Sequence, residues 1–309
     1  MTSNWTADRI PDSSDKVIIV TGANSGIGFE AAVEFARKGA TVILGCRPLS
    51  KAMEARDRIL SKVPEARAEG LELDLADLAS VRRFAAEFVD GHSRLDVLAN
   101  NAGIMMVPFG KTTDGFESQF GINHLGHFAL TGLLLERLLE TPGSRVVTVS
   151  STAHRMGAMD FDNLMFENGH YSPGRAYGRS KLANLMFTYE LQRRFDRASV
   201  GSLALAAHPG WSHTNLSRHL DNRRFARLVG PATRRFAQSA AMGALPTLRA
   251  ATDPEAVGGR YYGPDGFIEQ AGHPVVVDSN RASHEEEAAR QLWDVSEGLT
   301  GVSYGRSLS

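Results

Sequence analysis

The chain has 309 residues, a length that one α/β domain with peripheral additions reaches and that does not limit core formation. Its 34 basic and 35 acidic residues leave a formal net charge of −1, which gives no global electrostatic reason to expect nucleic acid or an anionic membrane as partner. A single cysteine, Cys46, excludes an internal disulfide framework and fits a cytoplasmic location.

Residues 1–15 read as a polar N-terminal extension whose notable apolar residues are Trp5 and Ile10, so no signal-peptide core is expected there. Short Val/Ile/Leu-rich runs follow at 16–20, 41–46, 68–74, 95–99, 145–149, 201–207 and, less sharply, 259–262. They alternate with segments of helical period, the pattern of a parallel sheet covered on both faces. The first helix is expected over 27–38 with Gly39 ending it, the second between Pro48 and Pro64, and the third from a cap at Asp77 to about Val89. Residues 115–140 are apolar nearly all round, which predicts one helix buried on several sides and leaves open a homodimer or homotetramer contact. The run 128–139 is interrupted by Thr131, Gly132, Glu136 and Arg137 and falls short of the ~20 apolar residues of a membrane span, so no membrane anchor is expected. In 177–195, Leu182, Leu185, Met186 and Tyr189 form one helical face, and Tyr177, Lys181 and Asn184 another. Residues 212–240 mix apolar side chains with many arginines and read either as a substrate lid or as a plain amphipathic helix. A C-terminal tail, 280–309, is expected to dock through Trp293. The fold class expected is α/β: one doubly wound domain, 1–309, with a seven-stranded parallel sheet.

Two strings carry chemistry. Gly22, Asn24, Ser25, Gly26, Ile27 and Gly28 follow the first strand and open the first helix, where glycines let backbone N–H groups approach a pyrophosphate at the positive end of the helix dipole. The second strand ends in Cys46 and Arg47, not in an acid that would accept from the ribose hydroxyls of NAD. A 2′-phosphate bound by Arg47, with Lys51 one turn on, makes NADP the expected cofactor and NAD the less favoured one. Asp74 and Leu75 close the third strand near the adenine position, although Asp74 reads equally as a helix-start residue. Further on, Tyr177 and Lys181 stand one helical turn apart, a proton-transfer pair.

In this order, with Asn100-Asn101-Ala102-Gly103 after the fourth strand, Asn123, Ser150-Ser151 after the fifth and His208-Pro209-Gly210-Trp211-Ser212-His213-Thr214 after the sixth, the chain resembles the short-chain dehydrogenase/reductase family over nearly its whole length. Within it, the strings 121–128 and 180–184 look like the retinol dehydrogenase and WW-domain oxidoreductase branch. The resemblance implies a Rossmann-type domain and a catalytic set of Asn123, Ser151, Tyr177 and Lys181. Tyr177 would exchange the proton on the substrate oxygen, Ser151 would orient that oxygen, and Lys181 would favour the phenolate and bind the nicotinamide ribose. Asn123 would hold a water linking Lys181 to solvent. Asn101, Ala102, Gly103, Pro209, Gly210 and Thr214 would contact the cofactor. Each has a plainer reading: Ser151 as a cap, Asn123 as a buried helix bond, Lys181 as a solvated charge.

The implied reaction interconverts an alcohol with an aldehyde or ketone, and a small lipophilic substrate such as retinal is expected. Reduction of a carbon–carbon double bond, as in the protochlorophyllide reductases that share the Tyr/Lys pair, and a non-catalytic nucleotide-binding scaffold are the other readings. The histidines His124, His127, His208, His213 and His219 lack Cys or acidic partners at ligand spacing, and no metal site is expected. His154 is read as structural.

Overall fold

The computed structural model describes residues 4–211, 238–305 and 308. Seven parallel strands are formed by β1 (Val17–Thr21), β2 (Thr41–Cys46), β3 (Arg67–Glu72), β4 (Val97–Asn100), β5 (Arg145–Val149), β6 (Leu203–Ala207) and β7 (Tyr261–Pro264). An eighth, β8 (Pro274–Val276), runs antiparallel on β7, so the expected seven-stranded sheet has eight strands in the order β3-β2-β1-β4-β5-β6-β7-β8. The chain reverses its direction of winding between β1 and β4, the switch point at which open α/β sheets bind ligands.

Nine α-helices are described: α1 (Gly26–Arg37), α2 (Leu49–Lys62), α3 (Leu78–Gly91), α4 (Ser118–Phe120), α5 (Gly126–Leu133), α6 (Leu135–Glu140), α7 (Pro173–Arg197), α8 (Ala240–Thr252) and α9 (Glu286–Thr300). The predicted cap is in place, with Asp77 accepting from Ala79 N at 2.9 Å. The single helix expected over 115–140 is instead a series. It begins at Ser118, passes through a π-helical turn at Gly121–Leu125 and breaks again at Leu134. Periodicity could not reveal these breaks, because every face of the segment is apolar.

Strand alternation divides the core. Val42 and Leu44 pack with Phe29, Phe35, Ile59 and Leu248 on one face of the sheet, while Ile43 packs with Ile19, Phe84, Phe128, Phe187 and Trp293 on the other. Each such side chain contributes ~1.5–3 kcal/mol on burial. Trp5 and Ile10 are buried in the first of these clusters, so the N-terminal segment is packed against the domain. On the opposite face Trp293 of α9 stacks on Phe187 of α7 with ring centroids 5.8 Å apart. Helix α7 is buried on all sides from Ala176 to Gln192, not only on the two faces its periodicity suggested.

Candidate active site

The glycine turn between β1 and α1 is closely fitted to the end of β4. Gly22 adopts φ +68°, and a Cβ there would lie 2.9 Å from Ala102 Cα; one on Gly28 would meet Gly22 O at 2.7 Å and the Asn101 amide. Thr21 Oγ1 accepts from Asn101 N and Ala102 N, both at 2.9 Å, and Asn101 Nδ2 donates to Thr21 O at 2.8 Å. His127 Nδ1 lies 3.1 Å from the Asn123 carbonyl and its Nε2 2.9 Å from Thr21 Oγ1. A ring proton on Nδ1 and the Thr21 hydroxyl donating to Nε2 satisfy every group. Ser25 precedes α1 without using its side chain as a cap, and the first N–H groups of the helix have no intrahelical acceptor. The cradle therefore fits a pyrophosphate. Sequence reading missed Arg58, which reaches from α2 over the Phe29 ring and donates to Asn24 O at 3.0 Å.

At the end of β2 the Cys46 thiol is pushed up to about 11 by burial, against hydrogen bonds from the Ala23 and Asn24 backbone. Arg47 pairs with Asp74 at 2.7 Å. The other Asp74 oxygen accepts from Ala76 N at 2.9 Å, so Asp74 shapes a turn and anchors Arg47 while Asp77 starts the helix. Lys51 is paired with Glu54 at 2.8 Å. Leu75 is buried against α5, where Gly126 leaves room for the Leu75 carbonyl.

The four residues expected to be catalytic come together beside β5. Val149 O accepts from Lys181 Nζ and Asn184 Nδ2, each at 3.0 Å, which brings α7 against the strand end just before Ser151. Lys181 Nζ is 5.7 Å from the Tyr177 ring centroid. Burial pushes the Tyr177 phenol up to about 12, against the opposing influence of the nearby Ser151, and brings Lys181 down to about 8. Ser151 Oγ accepts from Ala153 N at 3.2 Å, as its capping reading expects. The Asn123 amide is fully engaged by protein: Oδ1 accepts from Ile104 N at 2.8 Å, and Nδ2 donates to Ile104 O and Ser180 Oγ at 2.9 Å each. Its side chain clasps the loop after β4. Gly103 packs between Asn123 and Lys181.

The segment 160–173 is held over α7 by Arg179, whose Nη1 donates to Asn163 O and Leu164 O at 2.7 Å each. After β6, Gly210 adopts φ +62° and Trp211 N donates to Gln270 O at 2.7 Å. Thr214 and most of the expected lid, 212–237, lie outside the described residues. His154 turns its ring away from chemistry: Nδ1 lies 2.6 Å from Ser151 O and Nε2 accepts from Asn280 N at 3.2 Å. His124 Nε2 lies 2.9 Å from Ser296 Oγ of α9.

With its winding switch, glycine cradle and Ser/Tyr/Lys cluster, the chain belongs to the short-chain dehydrogenase/reductase family: residues 16–224 match the family described as short chain dehydrogenase. It falls in the retinol dehydrogenase-like branch. It is 41% identical over 292 residues to human retinol dehydrogenase 13, covering 93% of this chain and 85% of that protein. Mouse retinol dehydrogenase 14 is 42% identical over 300 residues, covering 93% and 86%. The crystal structure of an uncharacterized protein from Mycobacterium paratuberculosis superposes with a TM-score of 0.82 at 44% identity, covering 98% of this chain and 99% of that one. A short chain dehydrogenase from Shigella flexneri complexed with NADP shares the fold, with a TM-score of 0.65 at 23% identity, covering 82% and 98%. Membership makes this chain a nicotinamide-dependent oxidoreductase of small molecules. Among the described residues no helix is long and apolar enough to cross a membrane, and no cluster of three potential metal ligands occurs.

Proposed function

We propose that the chain interconverts a carbonyl and an alcohol on a lipophilic small molecule, using NADP(H), with Tyr177 as general acid/base. The observation that carries this reading is the burial of Tyr177 and Lys181 one turn apart on α7, with Lys181 Nζ 5.7 Å from the Tyr177 ring centroid and Ser151 close to the phenol. When bound, the nicotinamide supplies or accepts the hydride at the substrate carbon. Glycine turn residues Gly22 to Gly28 would hold the pyrophosphate, Arg47 the 2′-phosphate, Asp74 and Leu75 the adenine side, and Asn101 to Gly103 with Pro209, Gly210 and Thr214 the nicotinamide side. In reduction the Tyr177 phenol gives its proton to the carbonyl oxygen, which Ser151 holds by hydrogen bonding as charge develops. Lys181, ammonium at neutral pH, stabilises the phenolate so formed until solvent returns the proton.

A lipophilic substrate is supported by the exposed apolar residues of the loops that leave this site. Phe109 follows Gly103, Met156 follows Ser151 and Trp211 follows Gly210, and all three are about half exposed or more. The names of the retinol dehydrogenase relatives point the same way. The test is consumption of NADPH and NADH at 340 nm with aldehydes and ketones from short chains to retinal and steroids. Saturable turnover preferring NADPH and the longer substrates is expected. NADPH binding without turnover on any carbonyl would replace this reading with that of a nucleotide-binding scaffold.

A further inference from the structure

Beyond β7 the chain makes a loop whose backbone is held in an unusual state. Ile268 and Glu269 both lie in the left-handed region, at φ 53° and 56°, where a β-branched residue such as Ile268 is strained. The loop ends at Gly272, φ 131°. Such strain persists only when surrounding contacts impose it, and here the contacts converge on the Glu269 carboxylate.

One carboxylate oxygen accepts from Arg155 Nη2 at 2.9 Å, four residues beyond Ser151. Arg155 also donates to Asp278 O at 3.3 Å. The other oxygen lies 3.0 Å from His208 Nε2. His208 Nδ1 accepts from Gly210 N at 3.2 Å, so the ring proton sits on Nε2 and faces Glu269. The His208 ring is buried, and neither its Nε2 nor the facing carboxylate oxygen has a well-aligned hydrogen-bond partner among the described residues. Each of these two groups therefore depends on the other for compensation, since a buried polar atom left alone is costly. Next to them, Gly210 packs so closely on Gln270 O that a Cβ would not fit, and Trp211 N donates to the same oxygen. His208 and Arg155 together hold the Glu269 carboxyl below its usual range against the effect of burial.

We propose that Glu269 is a positioning residue for the nicotinamide end of the cofactor. It fixes the Pro209-Gly210 turn through the His208 ring and anchors the segment carrying Ser151 through Arg155, so that the two sides of the reaction centre keep one spacing. The inference rests on the assignment of Pro209 and Gly210 to the nicotinamide side. Glu269 acts through His208 and Arg155, and it lies far from the adenine-side group Arg47 and Asp74 in the strand order. Its loss is therefore felt at one end of the cofactor.

The experiment titrates the full chain with NADPH and, separately, with adenosine 2′,5′-bisphosphate, which carries only the adenine half, in wild type, Glu269→Ala and Glu269→Gln. For Glu269→Ala we expect NADPH affinity and kcat each to fall about tenfold, with bisphosphate affinity unchanged within about twofold. Glu269→Gln keeps an acceptor for His208 Nε2 and should recover most of the NADPH affinity. If the alanine variant does not fold, Arg155→Met breaks the link from the other side, and the selective loss is expected in kcat. Equal losses for both ligands, or unchanged NADPH affinity and turnover, overturn the proposal. A wild-type chain that bound neither ligand would overturn the cofactor assignment itself, whereas a wild type that binds both with no selective loss in the variants overturns only the role of Glu269.

Discussion

Arg47 Nη1 donates to Asp74 Oδ2 at 2.7 Å, joining the carboxyl end of β2 to the turn that follows β3. The Arg47 side chain is 62% exposed, so water competes for it and the pair is worth little by itself. An incoming phosphate can therefore share the guanidinium, whose remaining N–H groups stay available. Arg47→Ala is expected to weaken NADPH binding about tenfold or more and NADH binding less than about threefold. Fluorescence titration with both cofactors measures this, and equal losses would remove Arg47 from 2′-phosphate recognition.

Tyr177→Phe removes only the hydroxyl and leaves the ring packed on α7. Cofactor affinity should stay within a few-fold while kcat falls about a thousandfold, the scale of a lost general acid. Stopped-flow turnover with the best carbonyl substrate decides the matter; a rate near wild type would rule out Tyr177 as the proton donor.

Two buried imidazoles make folding sensitive to acid. Burial takes His124 down to about 3 and His127 to about 4, so both are neutral in the folded protein, whereas the unfolded chain protonates them near 6.5. Between these values the unfolded state binds more protons, and stability falls as the pH drops. The stabilising contribution is complete above 6.5 and roughly 2 kcal/mol per ring is lost by pH 5. Thermal unfolding from pH 7.5 to 5 should show this loss, and His127→Gln, which can still accept from Thr21, should show a shallower slope. An unchanged slope would contradict the buried neutral imidazole.

Sequence pattern located the sheet and the chemistry for different reasons. Strands β2 and β5 fall on the expected residues because central parallel strands are continuous apolar runs between polar turns. β8 went unseen because three residues beginning with Pro274 carry no strand pattern and pair only by virtue of the turn preceding them. Tyr177, Lys181 and Ser151 were legible because a fixed spacing on one helix and a position at a strand end survive translation into space. The role of Glu269 was not, since its partners Arg155 and His208 are brought to it by three separate strand ends. Asn123 was found correctly as a polar residue in an apolar run, but no spacing could reveal that its amide turns to Ile104.

The two borders of the sheet have opposite construction and the same effect. β3 carries Arg67, Glu69 and Glu72 along one border; β8, only three residues long and opened by a proline that lacks an N–H, closes the other. Neither offers another polypeptide a long neutral template for strand addition. Edge-to-edge pairing of sheets is therefore disfavoured, and a destabilised variant has little to fear from polymerisation through these borders while its sheet remains intact.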